Sequence, residues 1–244
     1  MKILIWDIET RPLVVTSWGL WKPYLTHENI LQESGLICGA FKWLEEKQVH
    51  ATQVDPKKPG DDSKVVRDLH MALSVADVIV AHNGDKFDLK KFNARAIVHG
   101  LDPLPPIPTI DTLKVAKKYF SFNANRLDYL GGLLGVGRKI HTDYGLWLEV
   151  MKGSREALEK MVRYNKQDVL LLEKIYLKLR PYIRNHPNEN LHAGEDERVC
   201  PNCGSSRVQK RGFLFARTTQ RQRYQCMGCR AWFSGETVKT VKVR

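Results

Sequence analysis

No stretch of the sequence approaches the ~18 consecutive apolar residues that a membrane-spanning helix needs. The N-terminus also lacks the basic-then-apolar plan of a secretory signal. These absences argue against a membrane protein and lead to the expectation of a cytoplasmic chain. Cysteine is scarce: there are five, and four fall in two Cys-x-x-Cys pairs, Cys200/Cys203 and Cys226/Cys229. In a basic segment of a reduced compartment that spacing reads as metal ligation, not as a disulfide framework. Cys38 stands alone in an apolar run, where a buried, inert thiol is expected. Acid is almost missing from the tail, where from Arg198 onward eleven Lys and Arg face the single acid Glu236. Most of the net charge of +12 therefore sits there, as a polyanion-binding segment would have it. The sequence has no internal repeat and no low-complexity tract.

What is present suggests one ordinary domain followed by a small one. Residues 1–184 read as the first, 185–198 as a polar, Pro- and Asn-containing linker, and 199–244 as the second. The first domain opens on Ile3, Leu4 and Ile5, the pattern of a strand buried on both faces. Asp7 and Glu9 follow at i and i+2 spacing, so a strand would aim both carboxylates to one side of its sheet. Residues 11–34 read as irregular, and Trp18, Trp21 and Tyr24 are expected to pin that loop to the domain, with stacking on bases beside an active site as the alternative. Residues 35–44 and 48–54 read as a β-hairpin turning at 45–47. A helix capped by Ser63 is expected to run to about Val75. Then come a short strand over 77–81, a polar turn, a helix over 88–99, a proline-rich connection, and a last strand at 109–111. Asp111 is expected to cap the next helix, and a long amphipathic segment over 154–182 closes the domain. This order implies an α/β fold with a mixed sheet.

Two further acids stand beside Asp7 and Glu9. Asp88 starts a helix just past a strand, where sites of open α/β sheets gather. Asp168 lies four residues after Tyr164, so both project from one helical face. Asp85 is the rival to Asp88 as the acid of this turn, and His82 and His141 read as structural or surface histidines.

Asp7 and Glu9 in "DIET", Asn83 with Phe87-Asp88, and Tyr164 with Asp168 together resemble the DEDD superfamily of 3′–5′ exonucleases, the DnaQ-like branch of the RNase H-like fold. The tyrosine of the third motif resembles the DEDDy subclass, with PolB-like and RNase D-like proofreading domains nearest in style. The resemblance covers about residues 1–180 and implies an RNase H-like mixed sheet flanked by helices. It further implies two Mg²⁺ or Mn²⁺ ions, one held by Asp7, Glu9 and Asp168 and the other by Asp7 with Asp88 through water. Paired divalent ions activate water and stabilise the leaving oxygen of a phosphodiester, and such hard cations favour carboxylate oxygen. Tyr164 would orient the attacking water, since a phenol with a pKa near 10 is a poor base at neutral pH. Asn83 and Phe87 would touch the nucleic acid.

The tail has the form of a zinc ribbon, two knuckles closing a Cys₄ site for one structural Zn²⁺. The stretch from Cys200 to Phe233 resembles the ribbons of transposase-type and other DNA-associated proteins. Residues 207–212 and 216–225 are expected as hairpin strands. Arg207, Lys210, Arg211, Arg217, Arg221, Arg223 and Arg230 are candidates for phosphate contact, and the interleaved aromatics are expected to form the miniature core. The combined expectation is a 3′–5′ exonuclease acting on single-stranded or 3′-ended DNA, working in the cytoplasm of a bacterium or phage-infected host. A polymerase or repair complex would be a partner in trans. The alternatives are an RNase D-like exoribonuclease, or a nucleic-acid-binding protein with an inactive nuclease fold.

Overall fold

The computed structural model describes residues 1–21, 24–44, 46–192 and 199–242. Part of the expected hairpin turn (residue 45) and part of the expected linker (193–198) lie outside them. The chain begins with β1 (Ile3–Arg11), followed by a small ladder of β2 (Val14–Val15) and β3 (Ile30–Gln32). β4 (Gly35–Trp43), β5 (His50–Gln53), α1 (Ser63–Ser74), β6 (Val78–Ala81), α2 (Asp88–Val98) and β7 (Thr109–Asp111) come next. The domain continues through α3 (Thr112–Tyr119), α4 (Leu127–Leu133), α5 (Tyr144–Met151) and α6 (Arg155–Leu179).

Five strands form one sheet in the order β5-β4-β1-β6-β7. β1 is central, antiparallel to β4 and parallel to β6. Its alternation explains the position: Leu4, Trp6 and Ile8 pack among Leu69, Leu73 and Phe92 of α1 and α2. Ile3 and Ile5 face the other way, into a cluster with Val169, Leu172, Ile175 and Tyr176 of α6. Asp7 and Glu9 continue this second row, so the strand's own period of two directs them towards α6. The register slips between Glu9 and Thr10, a bulge of the kind that ends regular pairing beside a site. An ion pair between Lys42 of β4 and Glu173 of α6 ties the helix down.

Four expectations need correction. Residues 11–34 are not wholly irregular, since Arg11 ends β1 and the β2–β3 ladder lies within them. Ser63 is the first helical residue rather than the cap; the residue before it, Asp62, is fully buried and caps nothing. Its carboxylate instead binds Arg95, His99 and the Leu36 amide at 2.6–2.9 Å. Trp18, Trp21 and Tyr24 do not pack on the domain, being 107%, 86% and 90% exposed. The tail has three strands, not two: β8 (Val208–Phe215), β9 (Thr219–Cys226) and β10 (Trp232–Thr240), in the antiparallel order β10-β9-β8. Gly212 takes a positive φ of 72° where the β8–β9 register shifts, a place suited to glycine.

The tail is tied to the rest of the chain through the turn at 200–203. Asn202 is buried, and its Nδ2 donates to the carbonyls of Arg180 (3.0 Å) and Ile183 (3.3 Å). Glu189, within a 3₁₀ turn, accepts from Arg180 at 3.0 Å and also faces the N-terminal amine at 3.7 Å. Among the described residues no helix is long and apolar enough to cross a membrane.

Candidate active site

Each acid reaches the site from a different kind of support. β1 carries Asp7 and Glu9, the start of α2 carries Asp88, and α6 carries Tyr164 and Asp168. Carboxylate oxygens of Asp7, Glu9 and Asp168 all lie within 4.8 Å of one another. Asp88 stands beside this trio and outside it. Its Oδ1 accepts from the Ile8 amide at 3.3 Å, which ties it to the strand between the two β1 acids.

The turn that places Asp88 is tightly specified. Asn83 has a positive φ of 66°, and its amide donates to Asp111 Oδ1 at 2.9 Å. A Cβ on Gly84 would lie 2.3 Å from that of Ala81, so only glycine fits the next position. Asp85 turns away to pair with Lys114 at 2.6 Å, which removes it as the rival acid. Asp111 caps α3 as expected, accepting from Leu113 and Lys114 amides. His82 Nδ1 pairs with Thr112 Oγ1 at 2.9 Å, a structural bond, and His141 is exposed.

Two residues of the site were not read from the sequence. Lys139, in the loop between α4 and α5, brings its Nζ to 2.6 Å from Asp168 Oδ2 and 4.9 Å from the Tyr164 ring centre. Its backbone amide is held by Asp128 Oδ1 at 2.9 Å. A single lysine in an irregular loop carries no periodic signal, so nothing in the sequence singles it out. Asn165 is fully buried on α6; its Nδ2 donates to Asp7 Oδ2 at 2.7 Å, and its Oδ1 faces Cys38 Sγ at 3.7 Å. This one had a signal: an amide inside the buried stripe Met161, Tyr164, Asp168, Val169 is out of place unless partnered.

The electrostatics follow from four carboxylates facing one ammonium. Burial, followed by repulsion from Asp88, Glu9 and Asp168, holds Asp7 well above the usual carboxylate range. Burial and then Asp168 push Glu9 up to about 8, and burial pushes Asp88 up to about 6. Asp168 is raised by burial despite Lys139, and its buried Oδ1 has no hydrogen-bond partner. Burial works against the Lys139 charge, but Asp168 more than offsets it and the ammonium is held above its ordinary value. Burial likewise raises Tyr164, which keeps its proton. A cluster of oxygen donors with uncompensated charge and an orphaned acceptor fits a hard divalent cation.

The four cysteine sulfurs also lie within 4.8 Å of one another, with Cys200–Cys229 and Cys203–Cys226 at 3.7 Å. A tetrahedral zinc with Zn–S near 2.3 Å has S–S edges of about 3.8 Å, so the cluster is dimensioned for that ion. The seven tail cations singled out above are all exposed. Their aromatic neighbours divide: Tyr224 is buried and stacks on Phe233 at 5.5 Å, whereas Phe213, Phe215 and Trp232 point outward. Only the first two behave as the expected miniature core.

A mixed α/β sheet with acids converging from its central strand and its longest helix defines an RNase H-like protein with a candidate metal centre. Residues 32–180 match the RNase H superfamily in sequence, and the chain belongs to that superfamily. The matched span begins after Asp7 and Glu9, which stand on geometry. Among solved structures the chain is similar to the family B DNA polymerase from the hyperthermophilic archaeon Pyrobaculum calidifontis, with a TM-score of 0.57 at 16% identity. That similarity covers 74% of this chain and 25% of the polymerase chain, so this chain spans only a fraction of that protein's length. No curated protein matches the chain.

Proposed function

We propose that the protein is a metal-dependent 3′–5′ exonuclease that hydrolyses phosphodiester bonds of nucleic acid, with DNA as the favoured substrate. The observation that carries this reading is the meeting of Asp7, Glu9 and Asp168 within 4.8 Å, next to a protonated Tyr164. Asp7, Glu9, Asp88 and Asp168 would hold two Mg²⁺ or Mn²⁺ ions. When bound, such ions supply an activated water and stabilise charge on the phosphate and leaving oxygen.

The chain's own residues do the positioning. Tyr164 projects from the same face of α6 as Asp168, and burial keeps its proton on, so it orients a water instead of deprotonating it. Lys139 keeps its charge beside Asp168 and can face a phosphate oxygen. Asn165 fixes the orientation of Asp7. Water attack at phosphorus forms one P–O bond and breaks the bond to the 3′ oxygen, which leaves with a proton. Beside the acids an open cleft is lined by His82, Asn83, Lys117, Asn125, Arg126 and Lys139, whose cations suit a strand's backbone. Phe87, 40% exposed where α2 begins, is available to a base.

The ribbon would hold one structural Zn²⁺ and add affinity through Arg207, Lys210, Arg211, Arg217, Arg221, Arg223 and Arg230. Four thiolates leave zinc no open position, so no chemistry is assigned to it. A polymerase or a repair complex is the kind of partner this activity would serve.

The test incubates end-labelled single- and double-stranded DNA and RNA with Mg²⁺ or Mn²⁺, with chelator and with Asp7→Ala. Mononucleotides released stepwise from 3′ ends, lost in both controls, are expected. Cleavage that survives Asp7→Ala, or no cleavage of any substrate, overturns the proposal. A strong preference for RNA would select the exoribonuclease alternative.

A further inference from the structure

The loop between β2 and β3 holds the most exposed apolar side chains among the described residues. Trp18 and Leu20 are fully exposed, and Trp21 and Tyr24 nearly so. Exposed apolar clusters of this kind mark interaction surfaces, since single exposed residues are ordinary and a run of them is not. The loop is not a loose end. The β2–β3 ladder and the bond from the Thr16 amide to the Asn29 carbonyl (2.9 Å) hold its two ends together. Its base is anchored as well: buried Arg11, the last residue of β1, donates to the carbonyls of Glu33, Pro59 and Gly60. An aromatic arm thus projects from a rigid root two residues beyond Glu9.

We infer that Trp18, Trp21 and Tyr24 form a stacking platform for the bases of single-stranded nucleic acid delivered to the acidic site. The inference rests on the nuclease reading above and deepens it by assigning the side chains that hold the unpaired strand. Three observations favour this occupant. The arm follows directly on the strand that carries Asp7 and Glu9, its root at Arg11 lying two residues beyond Glu9 on the same strand. Its rings are large and flat, and the π-faces of bases stack on such rings whatever the sequence. No Asp or Glu occurs from Pro12 through His27, so nothing in the arm repels a polyanion, although the acids behind it would.

The test measures two quantities on Trp18→Ala/Trp21→Ala. The first is the affinity for a fluorescent single-stranded oligonucleotide of about twelve nucleotides in EDTA, where no turnover occurs. The second is Mg²⁺-dependent hydrolysis of a p-nitrophenyl ester of thymidine 5′-phosphate, too small to reach the arm. Oligonucleotide affinity should fall roughly 10- to 100-fold, as expected for one or two lost base–ring stacks. Ester hydrolysis and melting temperature should be unchanged, and Trp18→Phe/Trp21→Phe should restore binding. Wild-type oligonucleotide affinity in the alanine variant overturns the inference and leaves the arm to a protein partner. Loss of ester hydrolysis together with binding overturns it too, because the arm would then be part of the catalytic fold. An inert wild-type protein that still binds the oligonucleotide through the arm would sink the nuclease reading alone.

Discussion

Asn165 Nδ2 donates to Asp7 Oδ2 at 2.7 Å, joining the central strand to the longest helix at the point where the acids meet. The bond fixes which Asp7 oxygen remains available to a cation. Groups that orient metal ligands in this way typically matter 10- to 100-fold in affinity or activity. Asn165→Ala should therefore weaken Mn²⁺ binding and slow hydrolysis by about tenfold or more. Mn²⁺ titration beside a rate measurement checks it, and unchanged values would leave the bond a packing detail.

Lys139 faces Asp168 at 2.6 Å and is the one ammonium at the acid cluster among the described residues. Lys139→Met keeps much of the apolar stem and removes the charge. Removing a single preorganised charge or donor from such a site costs about 10²-fold in turnover. Turnover of that order lost from Lys139→Met, with Lys139→Arg in between, is expected.

Without a cation the acids repel one another, and Glu9 is pushed up to about 8 by burial and by Asp168. Asp7→Asn removes the cost of ionising Asp7 there, felt most where the pH would charge the acids, and keeps an oxygen that can accept from Asn165. Its melting temperature in EDTA should rise by about 2–4 °C, the shift expected for roughly 1 kcal/mol in a chain of this size. Mg²⁺ should raise the melting temperature of the wild type and have little effect on the variant. Scanning calorimetry with and without Mg²⁺ decides both.

Asp62 gives the opposite sign. Burial opposes its ionisation, but the hydrogen bonds from Arg95, the Leu36 amide and His99 outweigh it and hold the pKa down at about 2. A depressed folded-state pKa means that the unfolded chain binds the proton more readily. The stabilisation is thus complete above pH ~4 and is lost as pH falls through about 2. Asp62→Asn should cost about 3 kcal/mol at neutral pH, since Arg95 is left mostly buried without its partner. The acid-side slope of stability should flatten with it, as denaturant titrations between pH 2 and 5 would show.

The legible parts of the fold were those where burial imposes a period. Ile3–Ile5, the apolar run of β6 and the stripe of α6 announced their elements, and the i and i+2 spacing aimed Asp7 and Glu9 correctly. Asp111 could be read as a cap because its chemistry is local. What escaped depends on contacts made at a distance. Lys139 reaches Asp168 from an irregular loop, and Asp62 serves Arg95 and His99 more than thirty residues away instead of its own helix. β10 lies mostly exposed against β9, with no apolar alternation to mark it. Trp18, Trp21 and Tyr24 depart from expectation for a plain reason: aromatic residues are usually buried, and this loop exposes them against that tendency.

The most direct measurement is the single-turnover rate of mononucleotide release from 3′-labelled single-stranded DNA in Mg²⁺, wild type against Asp7→Asn. The two side chains are nearly the same size, so only charge and ligation differ. A loss of about 10³-fold or more with the fold intact is expected if Asp7 is the shared ligand of the metal centre. A variant rate within a few-fold of wild type would contradict a metal-dependent nuclease site at these acids.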